Sequence, residues 1–404
     1  MSKEEIANSR KRLLASYEKE IASGPLNGII VLGFCYYLTG PIALQNLVNL
    51  GALVIKVENE QQGGDPTRQV FSKEMFNAIS YGQLSLSLNY RCFSDMQILK
   101  KLLLMVDVII DNRSVDARER DELLQQIFVN SRRVAPVIYC TISGFPNSSK
   151  YRFAGLDASA QAITGMAYTN CASKQQPMKV GFPVLDQVTG ILAANQILAN
   201  LLYLRRGDES TNELNIIHIS VSLIGTAIWL QVGQVIKALG GEEYFRTGNE
   251  DQFAAPFSYY TASDGLISIA TVNEAQFSKF CSHVLGDPDF QKKFTTIRYR
   301  IDNQAQFESE LNEKLKMKSR LYWSEKCAKH GIPSAPVLTV SESIENDFVK
   351  NELISTKKGG AVIVSAGITN SIFRQMEYSS APMLGQDKDK IKSAVIDQTP
   401  RSRL

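Results

Sequence analysis

The feature that constrains this chain most is the rhythm of residues 28–145, where short β-rich runs alternate with helical patterns. "GIIVLGF" reads as a strand. "GPIALQNLVNLG" then places Pro41 near the first helical turn, spaces Ile42, Leu44, Leu47 and Leu50 for a helix, and stops at Gly51. "ALVIKVE" is the next strand, "DMQILKKLLLMV" is helical, "DVIIDN" a strand, "RERDELLQQIFV" helical and "PVIYCTISGF" a strand. Strand, helix, strand in this order predicts βαβ units, because parallel strands need a crossover long enough to hold a helix.

Two helical segments follow, "DASAQAITGMAY" and "DQVTGILAANQILANLLYLRR", each opening on an aspartate, and "ELNIIHISVS" returns to strand. Around residue 225 the rhythm changes. "APFSYYTASDGLISIATVN" is a hairpin pattern turning at Asp264–Gly265, and amphipathic helical stretches follow it. "GIPSAPVLTV", with its two prolines, reads as a return linker. The expected fold is α/β: a large Rossmann-like domain with a parallel sheet from 25–222 and 330–404, and a smaller α+β domain from 223–329. Residues 1–24 read as a helical extension with Ile6, Leu13, Leu14, Tyr17 and Ile21 roughly on one face.

Charge excludes some partners. Lys and Arg number 44 against 41 Asp and Glu, a net +3 over 404 residues, which implies neither a nucleic-acid partner nor a membrane surface. No apolar run approaches the roughly 18 charge-free residues of a membrane span. Six cysteines lie at wide, irregular spacings without a Cys-x-x-Cys, so reduced thiols and a cytoplasmic location are expected. The terminal Ser402-Arg403-Leu404 resembles a peroxisomal address of the S-K-L type.

The first strand-to-helix turn, "FCYYLTGPIA", lacks the glycines that bring a backbone up to a pyrophosphate, so Glu58 at the end of the second strand does not make a dinucleotide site. No P-loop, H-E-x-x-H or G-x-S-x-G occurs. Cys281-x-His283 and Cys327-x-x-His330 are isolated pairs that read as structural, and His218 falls in a strand, so no metal is expected. Asp157 is left with two compatible readings. It caps the helix from 158 onward, or it is a carboxylate that a helix N-terminus holds ionised for attack on an activated acyl group. Asp186, which opens the next helix, has the same ambiguity.

Taken in order, "PLNGIIVLGF", "TGPIALQNLVNLGALVIKVE", "GGDPTR", "VDVIIDN", "VIYCTISGF", "AGLDASAQAITGM", "PVLDQVTGILAANQILANLLYLRRG" and "APMLGQD" resemble the family III CoA-transferases, a family that includes formyl-CoA and carnitine CoA-transferases and α-methylacyl-CoA racemase. The resemblance implies an interlocked, ring-like homodimer, and coenzyme A or an acyl-CoA with a carboxylic acid as substrates. It implies Asp157 as the nucleophile and Asn112, Arg68 and Arg120 as CoA contacts, with Arg113 a further cation. The racemase branch pairs this aspartate with a preceding histidine. Here that neighbour is Leu156, which cannot exchange a proton, so transferase is the better inheritance. The chain departs from the family pattern at Leu38, Asn59, Gln83 and Pro146, where polar or basic residues are usual. The competing reading is therefore a degenerate member with weak or no CoA binding; a racemase is the third.

Overall fold

The computed structural model describes residues 2–18, 24–70, 73–119, 121, 136–146, 155–171, 175–206, 215–242, 248–356, 362–364 and 381–396. Arg120, most of the helical pattern "RERDELLQQIFV" and the terminal tripeptide lie outside the described residues.

Six strands form one sheet: β1 (Ile30–Phe34), β2 (Leu53–Asn59), β3 (Leu84–Leu88), β4 (Val108–Asp111), β5 (Val137–Ser143) and β6 (Ile216–Ser222). Their order is β3-β2-β1-β4-β5-β6 and every neighbouring pair is parallel, with Ile30 against Leu53 and Val31 against Val108. Helical layers cover both faces, so the central strands are continuous apolar runs. Alternation sorts them. Ile30, Leu32 and Phe34 join Ile6, Leu13, Leu99 and Leu102 on one face, while Val31 joins Leu44, Leu47 and Ile197 on the other. β3, "LSLSL", alternates apolar and polar residues with the period of a strand and is not among the strands expected above. It is a strand because β2 supplies a partner along its whole length.

The chain folds into two units. The first comprises Met1–Thr164, Val180–Val235 and Asn351–Leu404. Its N-terminal helix, Lys3–Ser16, starts at a capping box in which Ser2 and Glu5 satisfy each other's backbone amides. It buries Ile6 and Leu13 in the same core as Ile391 and Val395 of the helix Lys388–Val395, so the two ends of the chain complete one layer. The helix Thr39–Asn49 ends at Leu50, and Gly51 takes φ 94°, the left-handed stop expected of it.

The second unit comprises Gly165–Lys179 and Ile236–Lys350. β7 (Phe257–Ala262) and β8 (Gly265–Ala270) form the expected hairpin, and β9 (Ser334–Pro336) adds antiparallel to β8. The segment expected as a return linker thus contributes a strand. Pro336 is tolerated within it because β9 is an edge with a single neighbour among the described residues, while Pro333 lies just before the strand. A cluster of Phe277, Phe290, Phe294 and Phe307 fills the core of this unit.

Candidate active site

A parallel sheet in this order holds ligands beyond the carboxyl ends of its strands, at the point between β1 and β4 where the order reverses. The loop after β1 is fixed there by polar contacts from three directions. The side-chain amide of Asn112 accepts the Tyr36 N–H at 2.9 Å and donates to the Tyr36 carbonyl at 2.8 Å. Asp65 accepts the Tyr37 N–H at 3.2 Å, and the Lys56 ammonium donates to the Cys35 carbonyl at 2.7 Å. Lys56 and Asp65 are wholly buried and pair at 2.7 Å. So clamped, Tyr37 holds φ at 62°, a left-handed conformation unusual for a residue with a side chain.

The other expected CoA contact, Arg68, grips Glu58 through two bonds at 2.8 and 2.7 Å, reaches the Pro382 carbonyl at 2.9 Å and lies over the Phe76 ring. Burial pushes the Glu58 carboxyl up, but Arg68, Lys56 and the Ser85 hydroxyl together hold it below its ordinary value. Arg113 is paired with Asp111 at 2.7 Å and Asp121 at 3.0 Å. Gln83 is buried and donates to the Ile79 carbonyl, while Asn59 accepts the Gln61 N–H. These side chains therefore hold the strand ends and their loops in place.

Asp157 is the first residue of the helix Asp157–Ile163. The position before it, where a capping side chain belongs, is Leu156, which makes no such bond. The cap expectation is corrected accordingly, because the Asp157 carboxylate serves a different helix. Its Oδ2 accepts the N–H of Leu185 at 2.7 Å and of Asp186 at 3.2 Å. These are the second and third residues of the 22-residue helix Val184–Arg205. That helix begins after Pro183, whose side chain has no acceptor, so its orphan amides are satisfied from outside. Oδ1 accepts the side-chain amide of Gln161, one turn along, and the Gln161 carbonyl oxygen accepts the Val180 N–H at 2.8 Å. Asp157 is 9% exposed, and its carboxylate sits at the positive end of the Val184–Arg205 helix dipole.

Asp186 does not cap its helix either. Its carboxylate accepts the hydroxyl of Thr39, at the start of the helix after β1. Burial raises the Asp186 carboxyl above its ordinary value and the charge of Asp157 adds to this, while the Thr39 hydroxyl pulls it back. Two glycine contacts permit the arrangement. A Cβ on Gly190 would stand 2.7 Å from the Thr39 carbonyl oxygen, so only glycine lets these two helices meet this closely. Gly144, just past β5, and Gly155, two residues before Asp157, are in backbone contact, with an added Cβ on Gly144 only 2.4 Å from the Gly155 Cα.

An ionised carboxylate has about four lone-pair sites. Asp157 has three donors among the described residues, two on Oδ2 and one on Oδ1, which leaves Oδ1 the less engaged oxygen. No histidine bonds to Asp157 among the described residues; His218 packs edge-on against Tyr139, and His283 stacks on His330 in the second unit. Gln161 and Thr39 were not singled out in the sequence. The Asp-x-x-x-Gln spacing, which puts both side chains on one helical face, was the available signal for Gln161. Thr39 carried none, because its partner lies 147 residues away.

The strand order defines a doubly wound α/β protein, with a buried carboxylate at the N-terminus of the helix Val184–Arg205. A family model described as CoA-transferase family III matches residues 26–388, and the chain belongs to that family. It is 28% identical over 343 residues to the succinate–glutarate CoA-transferase of Agrobacterium fabrum, covering 81% of this chain and 83% of that one. It is 24% identical over 395 residues to the succinyl-CoA:glutarate CoA-transferase of Homo sapiens, covering 94% and 87%. A CAIB/BAIF family protein from Brucella suis superposes with a TM-score of 0.81 at 26% identity, over 92% of this chain and 100% of the other.

Proposed function

We propose that this protein transfers CoA from an acyl-CoA thioester to a carboxylic acid through a covalent intermediate on Asp157. The observation that carries the reading is the geometry of that carboxylate: buried, hydrogen-bonded on Oδ2 by Leu185 and Asp186, and engaged on Oδ1 by Gln161 alone among the described residues. Oδ1 attacks the thioester carbonyl carbon, the carbon–sulfur bond breaks, and an aspartyl acyl anhydride forms with CoA thiolate as leaving group. The thiolate attacks the aspartyl Cγ, expelling the donor acid as its carboxylate and leaving an aspartyl-CoA thioester. An acceptor carboxylate displaces the thiolate, giving a second anhydride, and the thiolate then takes the acceptor acyl group and frees Asp157. The amides on Oδ2 steady the negative charge that returns to this carboxylate whenever an anhydride opens.

Relatives named for succinate and glutarate make dicarboxylic acids the first donors and acceptors to try. Two copies interlocking as a homodimer is part of the same reading. It is supported in the first unit by Ile228, Trp229 and Val232, apolar side chains that stand exposed at 42, 60 and 57%. The cytoplasm is the proposed location. Leu156, on the solvent side of the Asp157 helix, speaks against a racemase. A degenerate scaffold has one observation in its favour: Arg68, Arg113 and Asn112 are engaged within the chain. Assaying CoA transfer from succinyl-CoA to glutarate with the wild type and Asp157→Asn separates the readings. Transfer by the wild type that the variant loses supports the proposal; equal turnover by both rules out Asp157 as nucleophile.

A further inference from the structure

The carboxyl ends of β2 and β4 are rich in cations that carboxylates already neutralise. Lys56 is paired with Asp65, Arg68 with Glu58, and Arg113 with Asp111 and Asp121, all at 2.7 to 3.0 Å. Arg118 is different. It is only 7% exposed, yet its Nη1 reaches just two carbonyl oxygens, of Asp111 at 3.3 Å and Ile142 at 3.4 Å. Among the described residues it has no carboxylate within ion-pair distance, and its Nε and Nη2 have no acceptor. The Asp111 carboxylate nearby is taken by Arg113 and the Tyr139 hydroxyl.

The other N–H groups of Arg118 keep access to solvent, and two long bonds to neutral oxygens leave its charge without a counter-charge from the described residues. A solvent-reached cation with no counter-charge can take an anion, and the guanidinium's flat array of donors matches a carboxylate or phosphate. Its position suits a ligand. Asp111 ends β4 and Ile142 lies next to last in β5, so the guanidinium spans the carboxyl ends of two adjacent strands, the edge where such sheets hold ligands. Ile142 leads in two residues to Gly144, which touches Gly155 beside Asp157.

We propose that Arg118 is an anion-binding residue of the substrate site, its unpartnered N–H groups taking two oxygens of a substrate phosphate or carboxylate. It supplies the cation that Asn59 and Gln83 do not. The proposal rests on the CoA-transferase reading, which offers two sources for the anion: the phosphates of CoA, or the second carboxylate of a dicarboxylic acid.

The test is calorimetric titration of the wild type, Arg118→Gln and Arg118→Lys with CoA, beside steady-state transfer from succinyl-CoA to glutarate. If the anion is a CoA phosphate, Arg118→Gln weakens CoA binding by about tenfold or more. If it is the carboxylate, CoA binding holds and the KM for glutarate rises by about tenfold or more. Arg118→Lys keeps the charge without the planar donor array and falls between the two. Should Arg118→Gln not fold by circular dichroism, the lysine variant decides, with a several-fold loss expected in one arm. Unchanged CoA affinity and unchanged KM in a folded variant overturn the proposal and leave the transferase reading intact. A wild type that neither binds CoA nor transfers it overturns both.

Discussion

The Asp157 carboxylate accepts the backbone N–H of Leu185, 28 residues further on, at 2.7 Å. One side chain thereby satisfies the start of the helix Val184–Arg205 and is held beside the carboxyl end of β5. On the proposed mechanism structural and chemical duties fall on the same atoms, and variants can separate them. Asp157→Asn keeps an acceptor for the Leu185 amide but loses the proposed nucleophile. It is expected to fold normally and to lose transfer by at least about a thousandfold. Asp157→Ala loses the acceptor too and is expected to be less stable than Asp157→Asn by about 1 kcal/mol, read from chemical denaturation.

Gln161 orients Oδ1 and is itself held by the Val180 N–H. Gln161→Ala is expected to reduce kcat by about tenfold to a hundredfold with the KM for acyl-CoA little changed, since its side chain bonds the proposed nucleophile. Gln161→Glu places a second carboxylate on Oδ1, and repulsion predicts a larger loss of kcat than with alanine. Steady-state kinetics of the two variants check both expectations; equal kcat values in wild type and alanine variant contradict the role.

Much of this frame was legible in the sequence. Strand and helix patterns are local, so β1, β2, β4, β5 and β6, the stop at Gly51 and the Asp264–Gly265 hairpin follow from residues within a few positions of one another. The sequence also pointed to Asp157. What it did not reveal is whom each side chain serves. A capping aspartate looks the same whether it serves its own helix or one that begins 27 residues later. Likewise Lys56 within "VIKVE" gives no hint of a partner at Asp65, and Asn112 gives none that Tyr36 will take its whole amide. Tertiary pairings of this kind have no periodicity to read.

Gly190 sets the spacing between the helices that carry Asp186 and Thr39. Gly190→Ala puts a Cβ within 2.7 Å of the Thr39 carbonyl and 2.8 Å of Ile42 Cγ2, so the helices must move apart. A loss of about 1–3 kcal/mol is expected, together with reduced activity, because the Thr39–Asp186 bond and the amides on Asp157 shift with the helix. Denaturation midpoints and turnover, measured together, check this; full activity in a destabilised variant denies the link to the site.

Asp186 predicts a pH dependence. Its folded-state carboxyl is raised, first by burial and then by Asp157, so the folded protein holds this proton more tightly than the unfolded chain does. The contribution to stability is present below the ordinary carboxylate range, near about pH 4, and is lost as pH rises through the folded-state value. Asp186→Asn does not titrate. Wild-type stability relative to this variant is therefore expected to fall between acid and neutral pH, and parallel denaturation profiles contradict the assignment.

Glu58 works in the opposite sense. Burial raises its carboxyl, but Arg68, Lys56 and Ser85 outweigh that and lower it, so its stabilisation is present above the ordinary range and lost as pH falls through the lowered value. Glu58→Gln leaves the Arg68 guanidinium with no carboxylate and is expected to cost about 3–5 kcal/mol at neutral pH. The difference from wild type is expected to shrink in acid. Equilibrium denaturation at two pH values checks both the size and the trend.

The most direct measurement is chemical trapping of the enzyme-bound acyl group. Wild-type protein is mixed with succinyl-CoA, treated with hydroxylamine, digested, and mapped by mass spectrometry. A carboxylate that attacks the thioester gives a hydroxamate on the peptide containing Asp157, formed only in the presence of the thioester and absent from Asp157→Asn. Transfer of CoA to glutarate with no modification of that peptide, or with a hydroxamate on another residue, contradicts Asp157 as the nucleophile.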